Sequence, residues 1–257
     1  MYIVYRISDA GYKKEKPDYI NNRNCFRNAL KTFPNAVWII IADNCGERTI
    51  NMLVNTLNEC NITNYKINQV RVGNGAASFN LALDYVLQLT DNDTRLVLNP
   101  AEIIYFLEND YLHLPGSESK LIDMFDNLEP DFATLYCCPD KFITPQKGGN
   151  PNVDWDGGYL TKVYFCSNQW WCMADSTTMT FAARLRTIVK HEDILRKHTN
   201  GNHPWDYQMF MELRDNDASL LMPIPSLSTH GETAWLASYN TQDVKRNLIE
   251  DWNLIDK

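Results

Sequence analysis

Apolar residues in the first half of the chain alternate between short continuous runs and stripes at helical spacing. Residues 37–41 (VWIII) are the clearest run, consecutive and mostly β-branched, as a strand buried on both faces requires. Similar runs predict strands at 3–5, 70–72 and 103–107, and the stripes predict helices over 18–31, 50–57 and 79–87. This alternation predicts an α/β fold with a mostly parallel sheet covered by helices on both faces.

The second half of the chain has a less regular pattern. It predicts strands at 132–136 and 178–182 and helices at 185–197 and 206–213. Residues 139–175 are rich in Pro, Gly, Asn and Trp, and so long an irregular stretch within a domain is usually functional. No repeat or linker interrupts the chain, so we expect one domain over residues 1–257 with a smaller second lobe.

Composition and charge exclude several classes of protein. With 44% hydrophobic and 22% charged residues the chain is of ordinary globular type, and its net charge of −8 disfavours nucleic acid as a partner. No apolar run approaches about 18 residues, so no transmembrane segment is expected. The last residues form a short amphipathic tail, which we expect to dock on the body, with contact to a partner or to a membrane surface as the alternatives. The apolar side chains of the tail are Trp252, Leu254 and Ile255.

The cysteines point to a reducing compartment. There are seven, an odd number, and no C-x-x-C spacing that would favour zinc. The N-terminus has no signal-peptide pattern. We therefore expect reduced thiols and a cytoplasmic location.

Polar groups follow each of the predicted parallel strands. In open parallel sheets, ligands bind beyond the carboxyl ends of the strands. The groups at this edge are Arg6-Ile7-Ser8-Asp9, Asp43-Asn44, Gly73-Asn74-Gly75 and Glu108-Asn109-Asp110. Each alone is equally consistent with a solvated turn, but their coincidence on one edge indicates a binding site.

The Glu108-Asn109-Asp110 segment carries the strongest chemical signal. Two carboxylates separated by one residue at a strand end are expected to point the same way and to repel each other. A divalent cation would relieve that repulsion, and hard oxygen ligands suit Mg²⁺ or Mn²⁺. The alternative is an acidic turn that happens to follow a strand.

The segment FLENDYLH, in which these carboxylates lie, resembles the D-x-D motif of GT-A glycosyltransferases in a Glu-x-Asp form. Other segments match the same family in order: the opening strand with Arg6 to Asp9, then Asp43, GNGAASFNLALDYV, PWDYQMFMEL and THGETAW. The resemblance covers roughly residues 1–235. It is to family-2-like, inverting members that build polysaccharides in bacteria or viruses.

The resemblance implies a GT-A fold in which residues 1–110 bind the nucleotide sugar and residues 111–257 bind the acceptor. It implies a Mn²⁺ or Mg²⁺ ion held by Asp110 and His230, with Glu108 acting directly, through water or on the ribose. Asp206 would be the catalytic base. The remaining donor contacts it implies are Arg6, Ser8, Asp9, Asp43, Gly73, Asn74 and Asn109.

Alternatives stay open for several of these residues. Asp206 could instead be a helix N-cap. Asp43 could accept a hydrogen bond from a uracil or thymine imide, or form a turn. Arg6 could face the diphosphate or pair with Asp9, and Gly73 could be a simple turn glycine.

The acceptor side gives a weaker signal. We expect most aromatic side chains of the second half to pack in the core, with one or two forming an acceptor wall: Trp155, Tyr159, Tyr164, Trp170, Trp171 and Trp205. Asp175 could bind an acceptor hydroxyl. His113 is a weaker metal candidate than His230, and the pair Glu192-Asp193 is expected on a solvated helix face.

These features together predict metal-dependent, inverting transfer of a sugar from a nucleoside-diphosphate sugar, with a uridine donor favoured, to a carbohydrate hydroxyl. One alternative is a sugar-1-phosphate nucleotidyltransferase, for which Lys13, Lys14 and Lys16 would suit a triphosphate although no G-x-G pattern accompanies them. A non-catalytic binding module for nucleotides or carbohydrates is the other.

Overall fold

The computed structural model of the chain describes residues 1–11, 14–88, 99–149, 161–238 and 252–254. Lys13, Trp155, Tyr159 and Ile255 lie outside the described residues.

The described strands are short, and the buried ones carry the apolar runs. In chain order they are β1 Tyr2–Ser8, β2 Val37–Asp43, β3 Tyr65–Val70, β4 Ile103–Glu108, β5 Tyr111–His113, β6 Phe132–Ala133, β7 Val163–Cys166, β8 Gln169–Met173, β9 Phe181–Arg184, β10 Leu220–Ile224 and β11 Ser228–His230. The described α-helices are α1 Asn22–Thr32, α2 Glu47–Glu59, α3 Gly75–Gln88, α4 Ser117–Asn127, α5 Leu185–Lys190, α6 Glu192–Lys197 and α7 Asp206–Asp215.

Within the described residues, nine strands form one sheet in the order β3-β2-β1-β4-β9-β6-β10-β8-β7. The strands β1 to β4 are parallel to one another, whereas β8 and β9 run opposite to their neighbours. Strands from both halves of the chain share this sheet, and β5 pairs separately with β11. The predicted α/β architecture with a mostly parallel sheet is confirmed.

Helices cover both faces of the sheet, because buried side chains in the central strands alternate between two apolar clusters. On β1, Ile3 and Tyr5 face the cluster that contains apolar residues of α1, α2 and α4. Val4 faces the other cluster, which contains residues of α3, α5, α6 and α7. The resulting three layers leave the carboxyl edge of the sheet open to loops.

The strand order places a topological switch point between β1 and β4. The chain passes from β1 to β2 and β3 on one side, then crosses over to β4 on the other side of β1. Connections therefore leave in opposite directions at the carboxyl ends of β1 and β4, which opens a crevice of the kind where ligands bind in such sheets.

One predicted strand in this region is displaced. The third strand is β3, Tyr65–Val70, and not 70–72. It lies at the sheet edge, where most of its side chains are exposed or half-buried, so its sequence mixes polar and apolar residues and lacks the continuous run that marks a central strand. Residues 71–73 instead continue into the loop before α3.

The second half differs more from the prediction. The stretch predicted as irregular, 139–175, contains the antiparallel hairpin β7–β8, whose turn residues Ser167 and Asn168 have φ of 51° and 57°. Such left-handed pairs are typical of two-residue hairpin turns. The helix predicted over 185–197 is broken at His191 into α5 and α6.

The tail packs on the body as predicted. Trp252 is fully buried and donates a hydrogen bond from Nε1 to the carbonyl of Ala237 at 2.7 Å. Leu254 packs against the same apolar cluster. Among the described helices, none is long and apolar enough to cross a bilayer.

His113 is a core residue and not a metal ligand. Its ring is fully buried against Phe33, and Nε2 lies 2.9 Å from the hydroxyl of Tyr105. Burial lowers the pKa of His113 from 6.5 to about 3, so the imidazole stays neutral at physiological pH.

The depressed pKa of His113 predicts loss of stability in mild acid. Between pH 6.5 and 3 the unfolded chain binds a proton at this histidine and the folded chain does not, so the free energy of unfolding falls as the pH falls. From pH 7 to pH 5 this one group should contribute a loss of up to about 2 kcal/mol. Urea unfolding at both pH values should show a shallower pH dependence in His113→Leu than in wild type. The exposed-histidine variant His203→Leu is the control and should keep the wild-type slope; an unchanged slope in His113→Leu would contradict the assignment.

Candidate functional site at the carboxyl edge of the sheet

The carboxyl edge gathers the polar segments that were predicted there. Ser8 and Asp43 are paired across the ends of β1 and β2, and Arg6 is paired with Glu108 across β1 and β4. Asp110 follows directly, at the switch point. The sequence segments that resemble donor-binding motifs are therefore neighbours in space.

Asp110 lies at the centre of a cluster of positive groups. Its Oδ2 atom accepts a hydrogen bond from Nζ of Lys16 at 2.8 Å, and Nζ of Lys14 lies 3.8 Å away. Nε2 of His230 is 3.3 Å from the same oxygen and 3.0 Å from Nζ of Lys14. Because one ring nitrogen cannot both accept from Lys14 and donate to Asp110, we assign Nε2 as the acceptor of the shorter contact.

Strand pairing brings His230 to Asp110. In the β5–β11 ladder, His230 is opposite Tyr111, the residue after Asp110. The following residue, Gly231, lies so close that a Cβ there would be 2.8 Å from the carbonyl oxygen of Asp110 and 2.5 Å from Cγ2 of Ile20. The late histidine is therefore held next to the carboxylate by backbone geometry.

The charge of Asp110 is strongly stabilised. Burial alone would raise the pKa of this carboxyl, but the ammonium groups of Lys16 and Lys14 hold the pKa well below its usual value. The sequence predicts that a bound divalent cation relieves repulsion between two carboxylates. At Asp110 this prediction is not supported, because lysine side chains of the chain itself already neutralise the carboxylate.

Among the described residues, Glu108 and Asp110 share no hydrogen-bond or ion-pair partner. We expected the side chains of Glu108 and Asp110 to point the same way because side chains alternate along a strand. However, β4 ends at Glu108 and a turn follows, so this alternation does not extend to Asp110. Glu108 accepts a hydrogen bond from Arg6 at 2.9 Å. The geometry therefore does not favour Glu108 as a direct metal ligand beside Asp110.

Arg6 is buried, and both terminal nitrogens of its guanidinium group donate hydrogen bonds to the protein. Besides Glu108 it donates to the carbonyls of Gly75 at 3.1 Å and Met179 at 3.2 Å, and it lies over the ring of Phe79. The alternative in which Arg6 pairs with Asp9 is wrong. Arg6 joins β1, the start of α3 and the turn before β9.

Asp43 is buried and holds the loop before α3. Its carboxylate accepts hydrogen bonds from the backbone N–H of Val72 at 2.8 Å and of Gly73 at 3.0 Å, and from the side chain of Asn44 at 3.0 Å. With 3% of its surface exposed, the side chain has the turn-forming role rather than a base-reading one. Gly73 has a φ of 78°, which favours glycine.

Four further predicted donor contacts also have local structural partners. Asp9 accepts hydrogen bonds from the N–H of Gly46 at 2.8 Å and the hydroxyl of Thr49 at 2.7 Å, at the N-terminus of α2. Ser8 Oγ accepts from the N–H of Ala10 at 3.1 Å. The other two are Asn74, which accepts from the N–H of Ala77 at 2.8 Å, and Asn109, which donates to Asn22 at 2.7 Å.

A cavity of about 520 Å³ opens beside these residues, at the ends of β2 and β3. This volume lies within the range of small-molecule sites. The residues that line it are Ala42, Asn44, Cys45, Gly46, Gln69, Val70 and Arg71. The cavity is next to the Asp43 loop and on the β2 side of β1.

Asp206 is the first residue of α7, but it does not cap that helix, whose N-cap position is Trp205. Its Oδ2 accepts from the N–H groups of Thr177 at 2.7 Å and Thr178 at 3.0 Å. Its Oδ1 accepts from the Thr177 hydroxyl at 2.7 Å and the N–H of Met179 at 3.0 Å. Thr178 and Met179 have φ of 52° and 55°, so the carboxylate holds a turn where a strand was predicted.

Most of the described aromatic side chains singled out in the second half are exposed, so the prediction that most of them pack in the core is wrong for the described residues. Trp171 is fully buried, while Trp170, Tyr164 and Trp205 are 54%, 37% and 56% exposed. Trp205 directly precedes Asp206 and is the exposed aromatic side chain best placed for an acceptor wall. Asp175 forms a buried ion pair with Lys141.

The solvated pair Glu192-Asp193 has the expected surface role. Glu192 accepts a hydrogen bond from Arg196 at 2.7 Å along α6, and Asp193 is exposed.

The described residues around Asp110 fit a divalent cation poorly. No group of three His, Cys, Asp or Glu side chains comes together in the described part of the chain, and Lys16 and Lys14 already bind Asp110 and His230. Two unit charges about 4 Å apart interact by about 4 kcal/mol at an effective dielectric constant of about 20, so each ammonium would repel a dication by roughly twice that. Oδ1 of Asp110, buried without a hydrogen-bond partner, is the observation in favour of a cation.

Sequence reasoning missed the positive groups of this site. Lys14 and Lys16 were considered only for a triphosphate, although two lysines one residue apart follow the first strand directly. The turn at residues 177–179 gave no signal, because its left-handed residues are Thr and Met.

Comparison with known proteins gives similarity at the level of solved structures. No protein-family model and no curated protein sequence matches the chain. The chain is similar to galactosyltransferase LgtC in complex with donor and acceptor sugar analogues, at 12% identity and a TM-score of 0.43, over 86% of this chain and 73% of that one. It is similar to S. aureus TarS 1-349 at 13% identity and a TM-score of 0.47, over 86% of this chain and 58% of that structure, so it spans little more than half of it.

A third similar structure is a 4-diphosphocytidyl-2C-methyl-D-erythritol synthase, at 11% identity and a TM-score of 0.38, over 83% of this chain and 85% of that one. At these TM-scores the similarities carry no argument about function, which has to come from the site.

The close contact at Gly231 predicts that a larger residue at this position destabilises the fold around Asp110. In Gly231→Ala the new Cβ would meet the carbonyl of Asp110 and Ile20, so the backbone must move, and overpacking of this kind costs about 1–3 kcal/mol. Thermal unfolding should show a lower midpoint for Gly231→Ala. Gly11→Ala is the matched control, because a Cβ at Gly11 meets nothing within 4 Å. Equal midpoints for the two variants would contradict the assigned geometry.

Proposed function

We propose that the protein is a glycosyltransferase that moves a sugar from a nucleoside-diphosphate sugar to a hydroxyl group of a carbohydrate acceptor. The observation that carries the proposal is the meeting, at one switch point, of the segments that resemble GT-A motifs. Asp110 and His230 lie 3.3 Å apart although they come from distant parts of the chain. The cavity at the ends of β2 and β3 opens at the same carboxyl edge of the sheet, separated from Asp110 by β1.

The proposed donor site has two parts. The nucleoside would bind in the cavity lined by Asn44, Gly46 and Arg71, where backbone groups and side chains offer both donors and acceptors. The diphosphate would then extend along the carboxyl ends of β2 and β1 towards the Asp110 cluster. Arg6, Asp43 and Asp9 support this arrangement by fixing the loops around it, rather than by facing the donor.

The proposed reaction is a direct displacement with inversion. The acceptor oxygen attacks the anomeric carbon, the bond from that carbon to the diphosphate oxygen breaks, and the acceptor hydroxyl loses its proton to a carboxylate. Asp206 is the proposed proton acceptor. Since each of its oxygens already accepts two hydrogen bonds from residues 177–179, one of these bonds must open or lengthen when the acceptor binds.

A uridine donor and a requirement for Mn²⁺ or Mg²⁺ remain predictions from the resemblance. The buried, loop-bound carboxylate of Asp43 gives no support for recognition of uracil. If an ion binds, Asp110 and His230 are the residues that would hold it, and it would neutralise the leaving diphosphate.

A nucleotidyltransferase is the second candidate, because Lys14 and Lys16 lie at the switch point where a triphosphate would need positive charge. The two reactions release different products. The full chain is incubated with UDP-, GDP- and dTDP-sugars and mixed oligosaccharides, and released nucleoside diphosphate is measured. In parallel it is given sugar 1-phosphates with nucleoside triphosphates, and pyrophosphate is measured.

Acceptor-dependent release of a nucleoside diphosphate is the expected result. Release of pyrophosphate in the parallel assay would replace the proposal with a nucleotidyltransferase. Binding of nucleotides without either product would instead indicate a binding module.

The role of Asp206 predicts a separation of binding from turnover. Asp206→Asn should keep nucleoside diphosphate affinity within about threefold while lowering turnover by at least about 100-fold, as loss of a general base usually does. Thr177→Val is the matched control, since it removes one hydrogen bond to Asp206 and keeps the carboxylate; it should lower turnover by less than about tenfold. If both variants lose turnover equally, Asp206 only holds the 177–179 turn, and retained turnover in Asp206→Asn would exclude it as the base.

A further inference from the structure

The Asp110 cluster carries more positive than negative charge. Counting described side chains in contact, one carboxylate faces two ammonium groups and a histidine that accepts a hydrogen bond from one of them. Glu108 adds nothing to the balance, because Arg6 neutralises it at 2.9 Å. A site with this balance attracts an anion.

Lys14 and Lys16 each have more N–H donors than their described hydrogen bonds use. An ammonium group has three N–H donors. In the described contacts, Lys16 donates one to Asp110 and Lys14 donates one to His230. Both side chains remain partly open to solvent, at 27% and 31% exposure, so their further donors are accessible to a ligand that binds at the cluster.

We propose that Lys14 and Lys16, held in place by Asp110 and His230, bind the diphosphate of the donor directly and supply the positive charge for which a divalent cation was expected. This inference rests on the proposed function, since it assigns the phosphate-binding groups of the same site. In this arrangement Asp110 is a positioning residue: it orients the lysines towards the diphosphate and does not touch the donor. Both ammonium groups stabilise the negative charge on the leaving diphosphate as the glycosidic bond breaks.

The test is calorimetric binding of UDP, GDP, CDP and dTDP to the full chain, in EDTA and again with Mn²⁺. We expect at least one of these to bind in EDTA with an affinity within about threefold of its affinity with Mn²⁺. In the double variant Lys14→Gln/Lys16→Gln, that affinity should fall by at least about 30-fold, because each charged hydrogen bond to phosphate is worth about tenfold or more. Binding of the matching nucleoside, which has no phosphate, should be unchanged.

Two further variants separate charge from folding. The double variant Lys14→Arg/Lys16→Arg keeps the charge and should retain binding within about tenfold. Lys31→Gln, an exposed lysine in the last turn of α1, is the matched control and should bind like wild type. Thermal unfolding of every variant checks that the fold is kept. The affinity for the nucleoside checks that the nucleoside-binding part of the site is intact.

The outcomes distinguish the inference from the proposed function. Binding in EDTA that depends on the lysines supports both. Binding that occurs only with Mn²⁺, or that survives in the double Gln variant, overturns the lysine assignment and leaves the glycosyltransferase proposal standing. Absence of binding for all four nucleotides under both conditions overturns the two together.

Discussion

The site depends on one buried carboxylate. Pairing of β5 with β11 places His230 opposite Tyr111, and the close approach of Gly231 fixes the backbone at Asp110. Burial of an unpaired charge there would be costly, and the side chains that offset the cost are Lys14 and Lys16. The consequence is a local excess of positive charge at the switch point of a protein whose net charge is −8. Electrostatic character at a site is thus decided by a few buried contacts and not by composition.

A second set of contacts connects the two halves of the chain around this point. Arg6 on β1 donates hydrogen bonds to Glu108 at the end of β4, to the carbonyl of Gly75 at the start of α3 and to the carbonyl of Met179. The N–H of Met179 in turn donates to Asp206 at the start of α7. The proposed donor side and the proposed acceptor side are therefore linked through one turn, and a change at Asp206 must be judged by its effect on that turn as well as by its chemistry. Most of the carboxylates and amides singled out in the sequence act here by positioning loops.

The sequence predicts those parts of the fold where burial dictates residue type over several positions. β2 and β4 are covered on both faces, so their apolar runs are continuous and their ends could be placed within two residues. β3 and the β7–β8 hairpin are edge elements with exposed faces, and their mixed sequences match loops equally well. The candidate site, too, could be predicted only in part from the sequence. Topology explains why polar groups collect at the carboxyl ends of parallel strands. Tertiary packing, however, decides which basic side chain pairs with Asp110 or Glu108, and the spacing of residues along the sequence does not predict it.

The most direct measurement of the central claim is a crystal structure of the full chain with a bound nucleoside diphosphate and Mn²⁺, recorded with anomalous scattering at the manganese edge. The account predicts diphosphate oxygens within hydrogen-bond distance of the ammonium groups of Lys14 and Lys16, and no manganese peak between Asp110 and His230. A manganese peak that bridges Asp110, His230 and the diphosphate, with both lysines displaced, would contradict it.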